Sequence, residues 1–299
     1  MSSIISTIWE KLDEDIRQVA LRKLGPLSHL VGNWKGNGYA IISRPDAQKD
    51  QLFNFQQNVT IEQIAFIPVL APVLNRSATK NQPDINLKGL MYEQLILDAS
   101  EPTNILHFET GQWLLVPATT NPANKASIVR QANILHGASF LAIGDVPSLE
   151  PAPDKPNIEK LDTTPTGSPI DQDPTYLDQI NNAQLPTGIP IGSNKDASVF
   201  LTHQLNTQKV IDHVTFRVFG TAPGTESRDQ DPRLLNMPFL DTHAQPRELA
   251  ANFYVEQIED ATASTRSSMQ LQYGQRVILN FLDVNWPHVS AGTLKRHGL

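Results

Sequence analysis

The sequence predicts an all-β protein, and three observations carry that prediction. From Ser267 to Phe281 the chain alternates, with Met269, Leu271, Tyr273, Val277, Leu279 and Phe281 at odd positions and Gln270, Gln272, Arg276 and Asn280 at even ones. Period two is the mark of a strand with one apolar and one polar face. Strand-like runs then recur along the chain with short gaps and no convincing helix between them, which is the pattern of antiparallel neighbours. Near the N-terminus, Gly32, Trp34, Gly36 and Gly38 share one parity and hence one strand face. Glycines repeated on one face weaken a strand unless a bend or a close backbone approach needs them, as at the corners of a closing barrel.

In chain order, Ile5, Ile8, Trp9, Leu12, Ile16 and Val19 recur at helical spacing, and Gly25-Pro26 stops the run. This predicts one amphipathic helix over residues 1–25 whose apolar stripe faces a core. The acidic residues Glu10, Asp13, Glu14 and Asp15 argue against an anionic membrane surface as its partner. Strands are expected at Val59 to Phe66, Leu87 to Leu97, Ile105 to Pro117, Ser127 to Leu135 and Ala138 to Ile143, the last two joined by a turn at His136-Gly137. Residues 146–193 are rich in Pro, Asp, Thr and Asn and read as a long loop insertion. Strands of the same character resume at Val210 to Phe219 and Asn252 to Ile258, so the insertion is expected to interrupt one domain spanning 1–299 rather than to link two.

Composition narrows the function classes. A net charge of -7 without a basic block argues against a nucleic-acid partner. With no cysteine, the 299-residue chain has no thiol nucleophile, disulfide or cysteine metal site. The N-terminus has no basic region followed by an apolar core, and no run approaches the length of a membrane span, which predicts a cytoplasmic protein without a membrane partner. Gly36-x-Gly38 begins a dinucleotide-loop pattern, but position 41 is isoleucine and no helical pattern follows. Asp171-Gln172-Asp173 and Asp229-Gln230-Asp231 lack the remaining ligands of a calcium loop. His203, His213 and His243 lack metal-ligand spacing.

Three motifs, in order, carry a resemblance. Gly32 to Gly38 reads G-x-W-x-G-x-G; Leu106 to Trp113 reads LHFETGQW; and Leu271-Gln272-Tyr273 is followed by His288-Val289-Ser290-Ala291-Gly292-Thr293-Leu294-Lys295-Arg296. Together they resemble the opening strand, the central strand and the last hairpin of nitrobindins, small haem proteins whose barrel is similar to that of fatty-acid-binding proteins. The resemblance implies a single antiparallel up-and-down β-barrel of about ten strands closed by the N-terminal helix. It also implies haem b held by His288, which falls on the family's proximal-ligand position. The chain departs from the family pattern in its two long irregular stretches and in one extra residue at Gly292-Thr293, which would be a bulge.

On the residues themselves, Trp286-Pro287 stiffens the backbone that presents His288. Met269, Leu271 and Tyr273 are the expected lining of a haem slot, their other reading being ordinary core packing. A haem so held would bind nitric oxide or act on small oxidants such as peroxynitrite, which leaves an isomerase activity open. The alternative is a carrier for a fatty acid or other small apolar ligand without a metal, and a third reading makes the insertion a docking module for a protein partner. His107 and Glu109 share a face with Trp113 and suggest a polar pair inside the lumen; Gln131 and Asn133 suggest the same. Monomer and homodimer both remain open.

Overall fold

A computed structural model describes residues 11–46, 53–168, 170–221, 233–259 and 267–298. The strands are β1 (Gly32–Arg44), β2 (Asn54–Pro68), β3 (Val73–Asn75), β4 (Ile85–Asp98), β5 (Ile105–Val116), β6 (Thr119–Thr120), β7 (Ala123–Asn124), β8 (Ser127–Ile134), β9 (Ala138–Asp145), β10 (Val210–Thr221), β11 (Arg233–Asn236), β12 (Pro246–Glu259), β13 (Ser267–Phe281) and β14 (Val284–Arg296). Ten of them form one ring in the order β1-β2-β4-β5-β8-β9-β10-β12-β13-β14, each antiparallel to its neighbours. Ring order equals chain order, so this is an up-and-down barrel. The ring closes where Ile143 of β9 meets Phe219 of β10, and β11 takes the rest of the β9 edge, from Leu141 to Ala138. Among the described residues no helix is long and apolar enough to cross a membrane.

Helix α1 (Glu14–Leu24) and the 3-10 turn Gly25–Leu30 plug one end. Glu14 and Asp15 in the first turn and Arg22 and Lys23 in the last complement the helix dipole. The expected stripe is partly corrected: Ile16 and Val19 are exposed, and the helix buries Ala20 and Leu24 instead. Ile5, Ile8 and Trp9 lie outside the described residues. Leu24, Leu27 and Leu30 join Trp34, Trp113, Phe216 and Phe253 in the main core. Burying each such side chain contributes roughly 1.5–3 kcal/mol.

The insertion after β9 is not a bare loop. It carries α2 (Thr175–Asn181) and leads into α3 (Ser198–Asn206), neither of which the sequence pattern announced. Leu161, Ala197 and Leu201 cluster with Tyr39, Ile41, Val289 and Ala291 on the outer face of β1 and β14. Ile170 and Ile180 cluster with Phe53, Val284 and Trp286. The barrel wall here is buried on both faces, which explains why the polar face expected of β13 is not solvent-facing: Gln270 and Gln272 are buried under α3.

The last hairpin turns on Leu282 and Asp283, whose φ values of 57° and 59° belong to a two-residue turn of the type that matches strand twist. Trp286-Pro287-His288 therefore lies inside β14, with His288 opposite Val277 on β13 and Ile42 on β1. Pairing with β1 stops at His288, next to Pro287, which has no N–H to donate. Beyond it Asn285 pairs with Thr166 of the insertion. No bulge interrupts β14: its register with β1 and with β13 runs unbroken through Gly292 and Thr293. Gly36 sits where a Cβ would run into the Thr293 carbonyl, so the early glycines do serve a close backbone approach. Asp229-Gln230-Asp231 lies outside the described residues.

Candidate functional site

The half of the barrel away from α1 holds a cavity of about 300 Å³. Its walls are mostly apolar, with Ile96, Phe140, Leu249, Val277 and Leu279, and its mouth is bordered by Leu240 and Ala244 beside the short helix α4 (Pro238–His243). Thr60, Gln94, Tyr273 and Gln275 supply polar groups, and three imidazoles, His107, His136 and His288, face the cavity.

His288 is brought here by the parity of β14, which turns His288, Ser290, Gly292 and Leu294 inward while Val289 and Ala291 pack under the insertion. Its ring is deep among protein atoms, yet it keeps some accessible surface because that surface faces the cavity. Desolvation, helped by the positive potential of His107 and His136 when charged, pulls its pKa down to about 4. At neutral pH His288 is an uncharged imidazole, and it makes no hydrogen bond with a described residue. His107 and His136 stand with ring centres 5.8 Å apart. Nε2 of His107 is 3.2 Å from Oε2 of Glu109, and Nε2 of His136 is 3.2 Å from the Leu106 carbonyl oxygen.

Below the cavity lies a polar layer. Arg130, fully buried, donates from Nη2 to Oε1 of Glu109 at 2.7 Å, from Nε to the Tyr92 hydroxyl at 2.9 Å and from Nη1 to Oε1 of Gln275 at 2.8 Å. The Tyr92 hydroxyl donates to Glu109. Rings of Tyr92, Trp113, Phe140 and Phe253 surround the guanidinium, their centres 5.0–5.9 Å away. Burial alone would push Glu109 up, but Arg130 and the hydrogen bonds from His107 and Tyr92 outweigh it and hold its pKa at about 2. This is a buried ion pair with its lone pairs satisfied, the condition under which such a pair is tolerated.

A second carboxylate, Glu62, accepts from Thr60 Oγ1 and from the Tyr273 hydroxyl, each at 2.7 Å. Burial pushes its pKa up to about 7, against the smaller lowering effects of these two hydrogen bonds and of the charge on His107. Room for the Glu62–Tyr273 pair comes from Gly38 and Gly292, which are register partners on β1 and β14. A Cβ on Gly292 would meet the Tyr273 ring and Glu62, and one on Gly38 would meet Glu62 and Thr60. The additional residue at Gly292-Thr293 is thus part of the regular ladder, and its glycine makes space for a polar pair.

Of the residues expected at the site, His288 and Tyr273 face the cavity. Leu271 and Met269 belong to the core nearer the plugged end. The side chain of Phe281 is outside the described part. His107 and Glu109 are the lumenal pair the sequence suggested. Gln131 and Asn133 are not lumenal: they lie on the outer face, where Gln131 donates to Gln112 and Asn133 accepts from Ser139. Their inward neighbour is Arg130, which sequence reasoning missed together with Tyr92 and Glu62. The signal was present in parity, since Glu62 shares one strand face with Thr60, Ile64 and Phe66. An arginine or glutamate on an apolar face reads as an interruption until its partner on another strand is known. Among the described residues, no three His, Asp or Glu side chains come together as a metal site.

Fold and cavity together define a closed antiparallel barrel of the ligand-binding kind, consistent with the fatty-acid-binding-protein-like architecture. Comparison with protein-family profiles, curated protein sequences and solved structures gives no match to the chain.

Proposed function

We propose that the protein binds haem b in the lumenal cavity, with His288 as the protein ligand of the iron. The observation that carries this reading is an uncharged, unbonded imidazole on the wall of a mainly apolar cavity. A haem iron needs one such nitrogen donor and an apolar surround. The residues present meet that need: His288 supplies the donor, and Ile42, Val277 and Leu279 the surround. Among the described residues no lysine or arginine lines the cavity. Haem held this way supplies an iron centre able to bind nitric oxide or to act on small oxidants such as peroxynitrite. The chain's own part is to keep His288 neutral, to exclude water with the aliphatic wall, and to offer His107 and His136 as polar partners within the same cavity.

Haem added to the protein should give a histidine-ligated Soret band that His288→Ala removes, while His297→Ala, on the exposed C-terminal segment, leaves it unchanged. A band insensitive to His288→Ala overturns the assignment. The size of the cavity favours a second reading. At about 300 Å³ it lies at the small end of ligand pockets, which suits a compact apolar ligand without metal. That reading gives weak haem uptake that neither substitution alters, and displacement of a fluorescent fatty-acid probe by apolar ligands.

A further inference from the structure

On the outside of the barrel, Lys35 of β1 and Lys295 of β14 are direct register partners. Like charges opposite each other on neighbouring strands destabilise the pairing. Both side chains are exposed, and neither forms an ion pair with a described residue. They stand in a groove of about 440 Å³ between the barrel wall and the insertion. His203 from α3 and His297, just after β14, also line it, and among the described residues no carboxylate does. In a chain whose net charge is -7, four basic side chains around one groove are not the average surface. The insertion supplies the facing wall through Thr187–Pro190, and Phe200 adds an aromatic ring. A local rule broken without internal compensation points to a functional site, and the missing compensation here is negative charge.

We propose that this groove binds a small phosphate-bearing molecule. The two ammonium groups act as point charges on the phosphate oxygens, the two imidazoles donate hydrogen bonds, and Ile189 and Phe200 cover an apolar part of the ligand. The groove lies on the far side of the barrel wall from the lumen, so it is independent of the cavity.

The test is calorimetric titration with pyrophosphate, with sodium chloride at matched ionic strength as the control for screening. Saturable binding is expected with Kd below about 1 mM. Lys35→Gln/Lys295→Gln should weaken it by at least about tenfold, since two charge-assisted contacts are lost. Lys35→Arg/Lys295→Arg should retain it. Without ligand, the Gln pair should melt no lower than the parent, because the repulsion is relieved. The proposal is overturned by an absence of saturable binding up to about 10 mM, by equal affinity in the Gln pair, or by succinate binding where pyrophosphate does not.

Discussion

The guanidinium of Arg296 lies 4.6 Å from the centre of the Trp34 ring, joining the first barrel strand to the last at the plugged end. Nη2 of Arg296 donates to the His29 carbonyl at 2.7 Å, and the Trp34 indole N–H donates to the Leu30 carbonyl at 2.7 Å. Both side chains thus hold the turn after α1 against the barrel. Burial lowers the Arg296 pKa only to about 10, so the stacked group stays charged at neutral pH.

Arg296→Met keeps the aliphatic stem but loses the stacking charge and the bond to His29. It should lower stability by about 1–3 kcal/mol. In a double-mutant cycle with Trp34→Phe, urea denaturation should show a coupling of about 1 kcal/mol, because the two residues touch. Additive effects would mean that the contact contributes nothing.

The Glu109–Arg130 pair should behave as a buried unit. Arg130→Met leaves a desolvated carboxylate and should cost about 3–5 kcal/mol. The double change Arg130→Met/Glu109→Leu removes both charges and should cost clearly less than Arg130→Met alone, as read from urea midpoints. If the double variant is the less stable, the pair is a net stabiliser rather than a compensated cost.

His288 makes stability depend on acid. Its folded pKa of about 4 is depressed from 6.5, so the unfolded chain binds the proton more readily. For a depressed pKa, the stabilising contribution is fully present above about pH 6.5 and is lost as pH falls through about 4. The difference corresponds to roughly 3–4 kcal/mol. Denaturation at pH 7 and pH 4.5 should show a smaller acid loss in His288→Gln than in the parent. An identical acid loss in both would mean that His288 is already solvated as an imidazolium.

The alternation in Ser267 to Phe281 was legible because side chains on a strand point to opposite faces whatever the partner strand. The same arithmetic placed His107, Glu109 and Trp113 on one strand face and found at least part of every barrel strand. It missed Pro246 to Ala251, the first half of β12, because Pro-Arg-Glu hides the alternation that Leu249 begins. Gln131 and Asn133 show the opposite limit. Their shared parity was correctly read, but parity does not say which face is inward, and only pairing with β5 and β9 decides that.

By itself the sequence determined the all-β class, the antiparallel pairing of consecutive strands and the place of His288 on the final strand, because these follow from local periodicity and from turns; the up-and-down barrel was what the resemblance of three motifs implied. Tertiary structure alone decided that Arg130 meets Glu109, that Gly38 and Gly292 make room for Glu62 and Tyr273, and that the proline-rich insertion covers the outer wall beside Lys35 and Lys295. Those are contacts between residues far apart in the chain. Their energy depends on desolvation and on a partner's position in three dimensions, and neither is written in the spacing along one strand.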